Sequence, residues 1–255
     1  EMGCMPLEVT LNNLSSDLEY PSYVLLFSDT VAVTNPDSTY IFSIPGFYSV
    51  NMVATNLNGC SDTIMYPSVI QVFDSIPPPV SEIIRVSVEN DESVVIEWME
   101  NFDPQFSHYS IHRKSNNSGD FTLIAEIADP HTIVYFDDEV NVMDSVYCYK
   151  VEAVDVCGRS LPLDSLTEHC TINVETITLE NNTIDIRWTP YLGKTVAQYI
   201  ILRTEENTNL VEDIGVVPGD STHFVDRTVV CPVKYKYEIV ATELGGLLHL
   251  QSDSD

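Results

Sequence analysis

Cysteine, histidine and clustered carboxylates are the residues of this chain whose types could support chemistry, so their spacing is the first thing to read. Cys4, Cys60, Cys148, Cys157, Cys170 and Cys231 never stand in the Cys-x-x-Cys arrangement that holds a structural zinc or a redox dithiol. His108 and His112 are spaced so that a helix would present both imidazoles on one face, but Tyr109-x-Ile111-x-Arg113 alternates as a strand does. On a strand the two rings lie roughly 13 Å apart, at about 3.3 Å per residue, too far to share a metal. The other histidines, His131, His169, His223 and His249, are scattered. The carboxylate runs Glu89-Asn90-Asp91-Glu92 and Asp137-Asp138-Glu139 lack the Asp-x-Asp-x-Asp-Gly pattern of a calcium loop. Gly-x-Ser-x-Gly, His-Glu-x-x-His and phosphate-cradling glycine loops are also missing. The expectation is a non-enzyme with no catalytic, cofactor-binding or metal residues; calcium is the one ion its carboxylates would take.

Charge narrows the partners. Eleven Lys plus Arg stand against 39 Asp plus Glu, for a formal net charge of −28 and a pI near 4.2. Nucleic acid is excluded as a partner, because affinity for it comes mainly from cations on phosphates. Anionic membrane surfaces are disfavoured for the same reason, and no apolar run is long enough to span a bilayer. The acidic surface keeps a chain of 44% hydrophobic residues in solution and discourages sheet edges from pairing between molecules. Six cysteines in such a chain point to an oxidising compartment. The chain opens at Glu1-Met2-Gly3-Cys4 without a basic region and apolar core, so the expectation is either a removed signal or, as the favoured reading, a segment of a longer secreted or cell-surface protein.

The elements that must position these residues are strands. Tyr48-x-Val50-x-Met52-x-Ala54, Tyr147-x-Tyr149-x-Val151-x-Ala153 and Tyr235-x-Tyr237-x-Ile239-x-Ala241 each alternate with period two. A tyrosine heading such a strand is the mark of a tyrosine corner, where the hydroxyl caps a backbone group. The copies are spaced by 99 (147 − 48) and 88 (235 − 147) residues, the length of a small β-sandwich. The expected fold is all-β: three tandem Ig-like β-sandwiches over 1–76, 77–173 and 174–255. In the first, strands are expected at Leu7–Leu11, Tyr23–Phe27, Thr39–Ile44, Phe47–Ala54 and Val69–Phe73. Ile76-Pro77-Pro78-Pro79-Val80 reads as an extended spacer. The second and third sandwiches align as duplicates. Val94-x-Ile96-x-Trp98 matches Ile184-x-Ile186-x-Trp188, Tyr109-x-Ile111-x-Arg113 matches Tyr199-x-Ile201-x-Arg203, and Phe136-x-Asp138 is set against Phe224-x-Asp226. Trp98, Trp188, Tyr48, Tyr147 and Tyr235 mark the cores. No linker separates Val174 from the preceding sandwich, so a short, restricted hinge is expected there.

These residues carry a resemblance. Residues 80–255 resemble two fibronectin type III domains, with the Pro-Pro-Pro start, one Trp in the second strand and Tyr-x-Tyr-x-Val-x-Ala in the sixth. Residues 1–75 resemble a PKD-type domain through Asn35-Pro36, Thr39-Tyr40, Gly46-x-Tyr48-x-Val50 and Ala54-Thr55-Asn56-x-Asn58-Gly59-Cys60-Ser61-Asp62-Thr63; Leu25 stands where that family has Trp. Together with Ala153-Val154-Asp155-Val156-Cys157-Gly158, the combination is similar to gliding-motility-associated surface proteins of the Bacteroidetes, which the type IX system exports. The resemblance implies a non-catalytic stalk or adhesive array on the cell surface. The alternative it leaves is a set of spacer domains of a secreted hydrolase. The implied partners are a protein or glycan surface, or components of the secretion machinery. It also implies a Cys4–Cys60 disulfide bracketing the first domain. Among the rest, hairpin distance places Cys148 near Cys170, strand parity groups Cys157 with Cys170, and one β-bulge reconciles either pairing. Cys231 is unpaired or pairs outside the chain. Loops at Asn101–Phe106 and Val156–Leu163 are where a partner would bind, with Phe102 and Phe106 as candidate aromatic contacts.

Overall fold

A computed structural model of the chain describes residues 1–10, 22–27, 31–33, 39–55, 58–115, 119–180, 182–243 and 246–251. The expected features at Asn35-Pro36 and Asn56 lie outside these residues. The regular structure of the described residues is strand, apart from one turn of 3-10 helix at Leu163–Ser165. It divides into two compact units, one of Glu1–Pro77 with the turn Asp155–Arg159, the other of Pro78–Val154 and Ser160–Asp255.

In the first unit the strands are β1 (Met2–Cys4), β2 (Leu7–Thr10), β3 (Ser22–Phe27), β4 (Val31–Val33), β5 (Thr39–Phe42), β6 (Gly46–Thr55) and β7 (Ser61–Phe73). One sheet has the order β1-β7-β6-β3-β4, and β2 pairs with β5 in a second. β1 runs parallel to β7, with Cys4 opposite Phe73. Strands β1 and β4 are too short to leave a period-two signal, and were not anticipated. Val9, Phe42, Val50, Ile70 and Val72 form the core, and the Phe42 ring lies 4.7 Å from Tyr40 and 4.6 Å from Tyr48.

The second unit contains two sandwiches built to one plan. The first has a sheet β12-β9-β8 facing β11-β10-β13-β14, from β8 (Ile83–Glu89), β9 (Ser93–Trp98), β10 (Phe106–Ser115), β11 (Thr122–Ile127), β12 (Val134–Asp137), β13 (Tyr147–Asp155) and β14 (His169–Cys170). The second has β15-β16-β19 facing β18-β17-β20-β21, from β15 (Val174–Leu179), β16 (Thr183–Trp188), β17 (Gln198–Glu205), β18 (Leu210–Pro218), β19 (His223–Asp226), β20 (Tyr235–Glu243) and β21 (Gly246–Gln251). Each sheet pair closes on inward side chains at alternate positions, which is what period two with one buried face demands. Trp98, Tyr109, Ile111 and Tyr149 centre one core; Trp188, Tyr199, Ile201 and Tyr237 centre the other. The indole of Trp98 meets Tyr109 edge-on at 5.3 Å, and Trp188 meets Tyr199 at 5.4 Å. The tryptophans are the buried core residues that the alternation predicts. The tyrosines heading the motif strands, Tyr48, Tyr147 and Tyr235, are half-buried flanks, while the next tyrosines in, Tyr149 and Tyr237, are fully enclosed.

The repeat register needs one correction. Tyr135 pairs with Ile96 across the β12–β9 ladder, and Phe224 pairs with the equivalent Ile186 across β19–β16. The duplicate of Phe224-x-Asp226 is therefore Tyr135-x-Asp137 and not Phe136-x-Asp138. Phe136 points outward and is exposed, whereas Asp137 is buried. A bulky aromatic on the outer face of a short strand imitates its inward neighbour when only the sequence is read.

Candidate functional site

The cysteines resolve into two disulfides, Cys4–Cys157 and Cys148–Cys170. The implied Cys4–Cys60 bond is overturned. Cys4 lies beside Phe73 at one end of β7, and Cys60 immediately precedes Ser61 at the other, a separation of roughly 40 Å at about 3.3 Å per residue. Cys4 instead takes Cys157, in the turn Asp155–Arg159, so the open choice between Cys157 and Cys148 as partner of Cys170 falls to Cys148. In that turn the Asp155 carboxylate accepts the backbone N–H groups of Cys157 and Arg159, each at 2.8 Å, and the Arg159 guanidinium at 2.9 Å. Cys148 and Cys170 are direct partners in the β13–β14 ladder, with Cα atoms 4.0 Å apart. Cys60 is exposed and lies outside both bonds. The exposed Cys231 thiol donates to Asn182 Oδ1 at 3.3 Å.

His108, His112, His131 and His223 each lie beside a carboxylate of their own. His112 Nε2 lies 2.8 Å from Glu152, His131 Nδ1 2.6 Å from Glu100, and His108 3.7 Å from Glu126; His223 bonds Asp185. No group of three potential metal ligands occurs among the described residues. The run Glu89–Glu92 is the β8–β9 hairpin turn, closed by Glu92 N–H to the Glu89 carbonyl at 3.2 Å. Asn90 and Asp91 both carry positive φ, 53° and 59°, the pair of left-handed residues a type I′ turn requires.

Asp137, expected as part of a carboxylate cluster, is the hub of a buried triad. Both its oxygens accept Arg113 Nη1 at 2.8 Å, and its Oδ2 accepts the Tyr149 hydroxyl at 2.8 Å. The other sandwich repeats the arrangement: Asp226 Oδ2 accepts Arg203 Nη1 at 2.8 Å and the Tyr237 hydroxyl at 3.0 Å. Burial pushes the Tyr149 and Tyr237 phenols well above their ordinary range, reinforced by the adjacent carboxylates. At Asp226 burial raises the carboxyl, but hydrogen bonds from Thr228, Arg203 and Tyr237 outweigh it and hold the group below its usual value. The triads were missed in sequence through the one-residue misalignment at Phe136. The signal present was Arg113 and Arg203 at inward positions of alternating strands, where a guanidinium persists only with a buried acid.

Hydroxyls also hold the loops. Tyr48 donates to the Ile44 carbonyl at 2.7 Å, and Tyr147 accepts Asn141 N–H at 2.9 Å, both capping as a tyrosine corner does. Tyr109 accepts Asn101 N–H at 2.7 Å and donates to the Pro130 carbonyl at 3.0 Å; its duplicate Tyr199 accepts Tyr191 N–H at 3.0 Å. In the loop after β9, Phe106 folds onto Tyr109 at 4.5 Å, while Phe102 is 82% exposed. From Ser160 to Leu166 the segment after β13 crosses the outer face of its sheet: Ser160 bonds Glu152, and the Leu163 carbonyl takes Lys150 Nζ at 2.8 Å.

The two sandwiches of the second unit meet at Tyr191. Its hydroxyl bonds His169 Nδ1 at 2.8 Å and also receives the Val86 backbone amide. Ile84 packs against the core of the following sandwich. Beside the contact lies a cleft of about 270 Å³, lined by Ser81, Glu82, Thr167, His169, Gly193 and Lys194 among others. Burial, with Lys194 adding to it, pushes His169 down to about 4. At this junction an imidazole of one sandwich is bonded to a phenol of the other.

No family model matches the chain, and no curated protein matches it. Among solved structures it is similar to the FN1–FN3 domains of chicken CNTN1, at 14% identity over 91% of this chain and 84% of that one, with a TM-score of 0.31. It is also similar to a two-domain fibronectin type III segment of chicken tenascin, at 15% identity over 69% of this chain and 97% of that one, with a TM-score of 0.30. The all-β, Ig-like sandwich architecture rests on the sheets and cores described above. No described helix is long and apolar enough to cross a membrane, a statement about helices alone.

Proposed function

We propose that this chain is a non-catalytic extracellular segment: a stalk or adhesive array of three sandwich modules, 1–76, 77–173 and 174–255, within a larger secreted or cell-surface protein. The observation that carries the reading is the duplication of the buried Arg113–Asp137–Tyr149 and Arg203–Asp226–Tyr237 triads. In both sandwiches the residues best suited to acid–base chemistry are committed to holding strands together. Two disulfides support an oxidising compartment. The PKD-like and fibronectin-like motifs support a role in adhesion or gliding motility, with export by the type IX system. Partner binding falls to the loops, where Phe102 offers an exposed aromatic for a protein or glycan surface.

The test is to recover the protein from its native host. Cys4–Cys157 and Cys148–Cys170 are expected as intact disulfides in a surface or secreted fraction, and cytoplasmic material with reduced thiols overturns the extracellular reading. Turnover of any substrate in a hydrolase panel that is lost with a single side-chain change overturns the non-catalytic one.

A further inference from the structure

One of the contacts between the two sandwiches of the second unit is built around an imidazole. His169 is 4% exposed, on a two-residue edge strand whose neighbour Cys170 is locked to Cys148. The loop after β16 wraps it. The Tyr191 hydroxyl hydrogen-bonds Nδ1 at 2.8 Å, and its ring meets the imidazole edge-on at 5.8 Å. Gly193, at φ +111°, lies so close that a Cβ there would fall within 2.6 Å of three ring atoms. That backbone conformation and that space both admit only glycine. Enclosed in this way, with the Tyr191 hydroxyl and no carboxylate as its partner, the ring is held neutral by burial.

The charges facing the ring give an imidazolium no counter-ion. Lys194 on the opposing loop is the charged group that acts on it, and its own partner is Glu243 on β20, at 3.6 Å. On the ring's own side Glu168 is taken by Lys114 at 2.5 Å. Glu82 lines the neighbouring cleft and is exposed. His169 is part of the wall of that cleft, so a solvent proton reaches it without unfolding of either sandwich.

We propose that His169, Tyr191 and Gly193 form a proton-operated catch between the two sandwiches: protonation of the buried ring releases the Tyr191–Lys194 loop and frees one module to move against the other. The sign follows from linkage. The ring is neutral and buried in the closed form and takes up a proton more readily when the loop opens, so the catch holds fully above the ordinary histidine value of about 6.5 and weakens as pH falls from there toward 4.

The experiment is amide hydrogen exchange on the full chain at pH 7 and pH 4, corrected for intrinsic rates. Exchange at Tyr191–Lys194 is expected to accelerate on the order of a hundredfold at the lower pH, with the cores at Ile111 and Ile201 still protected. In His169→Gln, which keeps a neutral hydrogen-bonding side chain, that acceleration is expected to vanish. Gly193→Ala, placed outside both cores, is expected to exchange fast at pH 7 already, with little further response to acid. An acid response in His169→Gln equal to that of the wild type overturns the proposal. So does slow exchange in Gly193→Ala at pH 7 with the acid response intact, or wild-type exchange that ignores pH.

Discussion

The two sandwiches of the second unit confront the same problem, an arginine on an inward strand position, and resolve it with unequal reserves. Arg113 spends Nη1 on Asp137 and on the Glu139 carbonyl at 3.0 Å. Arg203 reaches Asp226 but also Thr228 at 2.8 Å and Glu212 at 2.5 Å. One triad hangs on a single carboxylate, and the other has a second acid in place. The reverse holds for the sheet edges. β14 is clamped by Cys148–Cys170, with the segment from Ser160 to Leu166 bonded to the adjacent β13, while β20 is followed directly in the ladder by β21, with Glu243 opposite Gly246. Duplicated cores thus coexist with different means of holding the periphery, because a core is dictated by packing and a loop is free to vary.

The largest expected effect tests the shared part. Trp98→Ala and Trp188→Ala each remove a buried indole and should destabilise their own sandwich by about 4 kcal/mol, read by denaturant titration with exchange assigning the loss. Tolerance of one substitution but not the other would break the equivalence of the cores. Asp137→Ala should cost about 3 kcal/mol by stranding Arg113 and the Tyr149 hydroxyl. Asp226→Ala should cost distinctly less, because Glu212 still faces Arg203, and a larger loss at Asp226 would invert the comparison. Replacing Cys148 and Cys170 together by alanine opens a loop of sequence separation 22, worth about 3 kcal/mol on chain entropy, with the effect confined to the sandwich that has the bond. A smaller effect separates the tyrosines: Tyr109→Phe loses two backbone partners and Tyr199→Phe one, so the first should exceed the second by about 1 kcal/mol.

Acid should sharpen the same contrast. Asp226 titrates below an ordinary carboxyl, so the stability it lends is present above the unfolded value of about 4 and is lost as pH falls through its folded value. Asp226→Asn should flatten that acid limb of the melting profile. An unchanged limb would place the acid sensitivity elsewhere.

Strand existence was legible where period two shows, as in β17, whereas only Val69–Phe73 of the thirteen-residue β7 was expected; the Trp, Tyr and Ile positions were legible because burial leaves them no other reading. Register was not. At Phe136 an exposed aromatic stood one place from the half-buried, inward Tyr135, and the misalignment hid Asp137 and with it both triads. The cysteines failed for a different reason. Cys4 and Cys60 flank the first domain in sequence, yet a parallel β1–β7 pairing sends them to opposite ends of a thirteen-residue strand. Glu89–Glu92 was visible as acid and not as a turn, since nothing but backbone φ distinguishes the two.

By itself the sequence determined an acidic, all-strand chain with duplicated aromatic cores, since composition and alternation act locally and each residue carries its own share of the signal. Which cysteines join, which acid meets which arginine, and that His169 meets Tyr191 were decided by the tertiary structure alone. Those pairs lie between 22 and 153 residues apart or are set by a single step of register, and only the closed sheets bring such groups within hydrogen-bonding distance.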